Sequence, residues 1–218
     1  MRLQSAIFDM DGTLLDSMGM WRKLGPSMLR RLGVEPSAED EISLRDKGIR
    51  QKAEYCKALY GLSQTEEEIM ALGRVVVEEF YRNEVQAKPG VQEFLSLLKM
   101  EGVWMYIATA TDRPLVEIAL AKTGLRDYFK GMVTAAEAGS KEHPEIFERA
   151  MARLQSNKKD TVIFEDSLYA IRTAKAAGFR VAGVYDESAK ADQEEIQRLA
   201  DYYIRSYKEM YHQNTLDG

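Results

Sequence analysis

The sequence predicts an α/β protein, a Rossmann-like parallel sheet core with helices on both faces and an inserted all-helical domain. Three observations predict it. Short apolar runs at residues 3–8, 103–108, 132–134, 161–164 and 181–184 have the length and composition of buried strands. Amphipathic stretches separate the later runs, and that alternation is the pattern of a parallel sheet. Between residues 17 and 84 the periodicity is helical and no strand pattern occurs, so a helical block is spliced in after the first strand.

The first strand ends abruptly in Asp9, Asp11, Gly12 and Thr13. In an open parallel sheet that edge is where ligands bind, because strand ends and helix N-termini converge there. Side chains of an extended chain alternate faces, so Asp9 and Asp11 are expected to point the same way. Two adjacent carboxylates repel, and either a cation sits between them or one keeps its proton. Both arrangements suit phosphoryl transfer, with Asp9 ionised to attack phosphorus and Asp11 handling a proton. Gly12 lets the backbone turn sharply there.

In the helical block Met20, Leu24, Met28 and Leu32 recur at four-residue spacing and stop at Gly33, a helix closed by a glycine. Further helices are expected over 38–60, interrupted near Gly48, and over 65–83, where Thr65 and Glu68 have capping-box spacing. Lys88-Pro89-Gly90 breaks the pattern before a helix at 91–100. The expected domains are therefore 1–16 with 86–218, and an insert at 17–85. Helices at 114–123, 144–154 and 168–177 follow the next three strands, and residues 202–204 read as a short edge strand before a final polar helix.

Three later strands each lead to a residue that can handle a phosphate or a cation. Thr109 closes the second strand, where its hydroxyl and the N–H of Ala110 can donate to phosphate oxygens, and Thr111 is a nearby competitor. Lys141 follows the third strand and precedes a helix whose first turn accommodates Pro144; its ammonium can neutralise Asp9 and a phosphate. Glu165 and Asp166 end the fourth strand, Asp166 suited to Mg2+ by oxygen ligation and Glu165 as a further ligand or an outer partner.

The run from Phe8 to Ser17, FDMDGTLLDS, resembles the first motif of the haloacid dehalogenase superfamily, in the branch of sugar-phosphate phosphatases and β-phosphoglucomutase. Thr109, Lys141 and the Glu165-Asp166 pair resemble its second, third and fourth motifs, and they occur in the same order. The resemblance covers about residues 1–16 and 86–200, and the insert resembles the family's cap only in position, size and helicity. It implies that Asp9 is the nucleophile, Asp11 the general acid/base, and that Asp9, Asp11, Asp166 and Glu165 surround Mg2+. It also implies an aspartyl-phosphate intermediate and a cap that opens and closes on linkers near residues 16–18 and 86–90.

Mutases of that branch carry a cap histidine near where this chain has Met20 and Trp21. The two histidines here are His143 and His212, both outside the insert, so a phosphatase acting on a small phosphorylated metabolite is expected ahead of a mutase. A non-catalytic phospho-ligand-binding protein is the reading from another class. Trp21 either shapes the substrate pocket or fills a core, and Arg45, in a loop with Lys47 and Arg50, either meets a second anionic group or lies on a solvated face.

Composition sets outer bounds. With 45% apolar and 30% charged residues the chain is ordinary globular material, and a net charge of −5 argues against a nucleic-acid partner. The single Cys56 excludes an intramolecular disulfide framework and fits a reducing cytoplasm. No apolar run approaches the roughly 20 residues of a membrane helix. Arg2 is the only charge before Asp9, and no signal-peptide pattern precedes the first strand. A cytoplasmic monomer without membrane contact is expected.

Overall fold

The computed structural model describes residues 3–45 and 47–211; Arg2, Asp46 and His212 lie outside them. Six strands, β1 (Ser5–Phe8), β2 (Trp104–Thr109), β3 (Met132–Thr134), β4 (Thr161–Glu165), β5 (Arg180–Val184) and β6 (Tyr202–Ile204), form one sheet in the order β3-β2-β1-β4-β5-β6. Every neighbouring pair is parallel. Four helices, α1 (Met18–Arg31), α2 (Ala38–Leu44), α3 (Ile49–Tyr60) and α4 (Glu66–Asn83), lie between β1 and the later strands in the sequence. The later helices are α5 (Val91–Met100), α6 (Arg113–Thr123), α7 (Ala135–Ala138), α8 (Glu145–Arg153), α9 (Leu168–Ala176) and α10 (Gln193–Leu199).

β1 is flanked on both edges and buried along its whole length, which is why its sequence is a continuous apolar run rather than an alternating one. Its register aligns Ile7 with Ile163 and Phe8 with Phe164. Alternation then separates two cores. On one face Ile7, Ala108, Ile163 and Val181 pack with Phe147 of α8, Ile171 of α9 and Ile196 of α10. On the other, Phe8 stacks on Phe164 at 4.3 Å between ring centroids and meets Phe94 of α5 edge-on at 6.5 Å.

The described residues divide into two compact units, one of the segment up to Asp16 with the segment from Gln86 onward, the other Ser17–Val85. The outgoing and returning chains of the first unit lie side by side: Leu15 bridges Ala87 in antiparallel sense, and Asp16 N–H donates to the Gln86 carbonyl at 3.0 Å. Splicing a helical unit at that point leaves the sheet intact. Within the second unit, a Cβ on Gly25 would lie 2.6 Å from Leu44 Cβ, so the approach of α1 to α2 requires glycine. Thr65 and Glu68 form a reciprocal cap, with Glu68 N–H donating to Thr65 Oγ1 at 3.2 Å and Thr65 N–H donating back at 2.7 Å.

The expected break near Gly48 is present, with α2 and α3 on either side and Gly48 the extended N-cap of α3. The structure departs from the sequence reading in a few elements. The final polar helix is a 3₁₀ turn, Tyr207–Tyr211. α7 and α10 were not expected: α7 is a single capped turn, and α10 buries Ile196 alone among its apolar residues, too little to give a periodic signal. Among the described residues no helix is long and apolar enough to cross a membrane.

Candidate active site

From β1 the chain passes to β2 on one side, while β4 lies on the other, so the strand order reverses between β1 and β4. The crevice beyond the C-terminal ends of such a pair is where open α/β sheets bind ligands. Asp9 N–H donates to the Phe164 carbonyl at 2.9 Å, extending the ladder one residue past β1. Alternation places Asp9 and Glu165 on the face of Ile7 and Ile163, where α8 packs. The loop that leads into α8 carries Lys141 to that face. Its Nζ donates to Asp9 Oδ1 and, at 2.7 Å, to Glu165 Oε2, and the lysine is 3% exposed.

Asp166, one residue on, is held separately: its Oδ1 accepts from the Thr13 hydroxyl at 2.8 Å. Glu165 Oε1 accepts from the N–H groups of Asp166 at 3.2 Å and Ser167 at 3.1 Å. Carboxylate oxygens of Asp9, Glu165 and Asp166 lie within 4.8 Å of one another, all three residues buried. Asp11, expected among the metal ligands, stands outside this group. Its Oδ2 accepts from the Thr111 hydroxyl at 2.7 Å, while Thr111 N–H donates to Thr109 Oγ1 at 3.1 Å. Thr109 is thus buried at the end of β2 with Ala110 exposed beside it.

Burial raises the Asp9 carboxyl to about 7; Lys141 opposes that rise, and Glu165 and Asp11 add to it. Asp166 is likewise held well above the carboxylate range by burial, then by Glu165 and Asp9. Burial works against the Lys141 ammonium, but Asp9 and Glu165 outweigh it and the charge is held far into the alkaline range. Lys88 also lowers Asp166, from a position where its Nζ pairs with Asp186 Oδ2 at 2.8 Å and donates to the Tyr185 carbonyl at 2.6 Å. Three buried carboxylates lie together, and only two of them, Asp9 and Glu165, are paired with the Lys141 ammonium. A donor set made only of carboxylate oxygens fits a hard divalent cation.

A pH dependence follows. In EDTA, Asp9 takes up a proton in the folded state near pH 7 but in the unfolded chain only near 3.8. The folded state binds more protons between those values, so stability due to this group is fully present below the lower one and lost as pH rises toward the upper. Chemical denaturation from pH 4.5 to 7.5 is expected to show a stability loss that is smaller in Asp9→Asn and smaller again with saturating Mg2+. Equal slopes for wild type and variant would contradict it.

The sequence from residue 6 to residue 184 matches the family model described as haloacid dehalogenase-like hydrolase. The chain belongs to the haloacid dehalogenase-like hydrolase family. It is 30% identical over 216 residues to hexitol phosphatase B of Escherichia coli, covering 96% of this chain and 95% of that protein. It is 29% identical over 189 residues to fructose-1-phosphate phosphatase YqaB of the same species, covering 84% and 97%. Among solved structures, CbbY from Rhodobacter sphaeroides in complex with phosphate shares the fold with a TM-score of 0.78 at 22% identity, covering 95% of this chain and 96% of that one.

The hydrolase fold brings Asp9, Lys141, Glu165 and Asp166 into one cluster and links Asp11 to Thr109 through Thr111. Trp21 and Arg45 belong to the other unit. Trp21 Nε1 is buried on α1 with no hydrogen-bond partner among the described residues, and Arg45 is exposed at the end of α2. Sequence reasoning passed over Thr13 as the group that holds Asp166, although Thr13 stands inside the first motif. It also missed Lys88, and Tyr169 at the start of α9, half-exposed and within electrostatic reach of Lys141, Glu165 and Asp9. Nothing in their local sequence distinguishes these residues from surface lysine and tyrosine.

Proposed function

We propose that this hydrolase is a Mg2+-dependent phosphatase that cleaves a small phosphate monoester, of the sugar-phosphate or sugar-alcohol-phosphate class, through an aspartyl-phosphate intermediate. The observation that carries the reading is the buried Asp9 carboxylate at the end of β1, held by Lys141 and set against Glu165 and Asp166. Phosphatases of sugar phosphates among the relatives support the substrate class.

Asp9 and Asp166 would hold the Mg2+ with Glu165 beside it, and the bound ion would offset the excess acid charge and draw negative charge from a phosphoryl group. An Asp9 oxygen forms a bond to phosphorus as the ester P–O bond breaks, and Asp11 gives its proton to the leaving alkoxide. Asp11 then takes a proton from water. That water attacks the same phosphorus, the bond to Asp9 breaks, and inorganic phosphate leaves with the carboxylate restored. Lys141 keeps the attacking oxygen in place and meets the phosphoryl charge, while Thr109 and the Ala110 N–H donate to its oxygens. The Thr111 hydroxyl fixes the direction of Asp11.

Water rather than a sugar hydroxyl is the acceptor, since the position near a mutase's cap histidine is Trp21, whose indole N–H can donate but cannot take a proton. The test is phosphate release from hexose phosphates, hexitol phosphates, nucleotides and small organic phosphates, with Mg2+ and with EDTA. Metal-dependent release from sugar or hexitol phosphates is the expected result. Saturable binding of those compounds without release would overturn the enzyme reading, and interconversion of β-glucose 1-phosphate and 6-phosphate would replace it with a mutase.

A further inference from the structure

Beside the acid cluster lies a buried hydroxyl that the reaction above does not use. Tyr207 opens the 3₁₀ turn after β6 and is 1% exposed. Its ring packs on Phe94 at 5.2 Å between centroids, and Phe94 meets Phe164 at 5.7 Å. Phe164 is two residues before Asp166, so the row of rings carries the phenol toward the end of β4 on the face away from Lys141. The hydroxyl lies within electrostatic reach of Asp166 and, more weakly, of Asp9. Yet it has no hydrogen-bond partner among the described residues.

Buried polar groups without partners are rare in folded proteins, and each calls for an explanation, of which an ordered water or ion is the commonest. Packing alone does not supply one here, because a phenylalanine would fill the same ring position without stranding an oxygen. The neighbourhood of the hydroxyl does supply one. Asp166 has one oxygen bonded to Thr13 and lies in the cluster suited to a divalent cation, and its other polar neighbour in electrostatic terms is Lys88, engaged with Asp186. A phenol on the opposite side to Lys141 can therefore hold a water at the rim of that cluster. Burial and the two carboxylates keep it protonated, so it serves as a neutral hydrogen-bonding group and not as an anionic ligand.

We propose that Tyr207 is a positioning residue of the acid cluster, its hydroxyl bonded to one water that bridges to Asp166 and helps to hold the divalent cation. The inference rests on the metal reading given above and extends the site to the segment that follows the last strand. Outer partners of metal ligands set the orientation and basicity of those ligands, and their loss usually costs 10- to 100-fold in affinity.

The test is calorimetric titration of the intact protein with Mn2+ in the absence of substrate, for wild type, Tyr207→Phe and Asp166→Asn, with thermal midpoints recorded in EDTA. Tyr207→Phe keeps the ring and its packing on Phe94. Its Kd for Mn2+ is expected to rise about tenfold, with a midpoint in EDTA close to that of wild type, since the ring and its packing are kept. Unchanged affinity in Tyr207→Phe, beside a wild type that binds and an Asp166→Asn that does not, overturns the role of Tyr207 and leaves the metal site standing. A lowered midpoint with unchanged affinity also overturns it, because that is the signature of a structural hydroxyl. Absence of Mn2+ binding in wild type removes the metal reading and this proposal together.

Discussion

Asp9→Asn is expected to abolish phosphate release, by at least about 10⁴-fold in kcat, while the protein stays folded. An amide of the same shape fits the Asp9 position but has no charge with which to attack phosphorus. The substitution has a second expected effect of opposite sign. Asp9 is buried among like charges and needs a proton or a cation to be comfortable there, so removing its charge relieves the apo protein. The variant should therefore melt higher than wild type in EDTA at pH 7.5, and steady-state phosphate assays with circular dichroism melts check both effects. Turnover at the wild-type level would end the nucleophile assignment, and a lower melting point would show that Lys141 holds the carboxylate more strongly than burial opposes it.

Lys141→Met is expected to be the most destabilising single change in the core unit. The lysine is almost fully buried and is the direct ion-pair partner of both Asp9 and Glu165. Methionine replaces its length without its charge, and breaking a buried pair by removing one partner costs about 3–5 kcal/mol, because the stranded carboxylates remain. Chemical denaturation at pH 7.5 in EDTA measures the loss. Adding Glu165→Gln should restore part of it, since the second change removes one of the stranded charges. If the double variant is no more stable than Lys141→Met, the lysine acts through packing and not through charge. Activity should fall in both variants.

The site was legible wherever polarity broke at a strand end. Asp9, Thr109 and Glu165-Asp166 each follow an apolar run, and those runs are β1, β2 and β4 of one parallel sheet. What the sequence did not carry was the side-chain geometry past the last ladder bond. Alternation predicts that Asp9 and Asp11 share a face, but β1 ends at Phe8 and Gly12 takes a φ of 82°. The chain turns there, and the Asp11 carboxylate accepts from Thr111 while staying near enough to Asp9 to raise its pKa. Thr111 itself read as a competitor of Thr109, whereas the two are successive parts of one hydrogen-bonded chain. Lys88, Tyr169 and Tyr207 are reached only through tertiary packing, and no local spacing marks them.

The central place of β1 has a further consequence, for assembly. Its four residues pair on one edge with residues 104–107 and on the other with residues 161–164, so both neighbours are made long after it. During synthesis this fully buried strand must wait, unpaired on both edges, while the helical unit emerges and can fold from local contacts. The cluster of Asp9, Glu165 and Asp166 cannot exist until the ribosome has delivered β4. Mutations that slow the docking of β1 should therefore reveal themselves first as aggregation of nascent chains, before any loss of activity in the molecules that do mature.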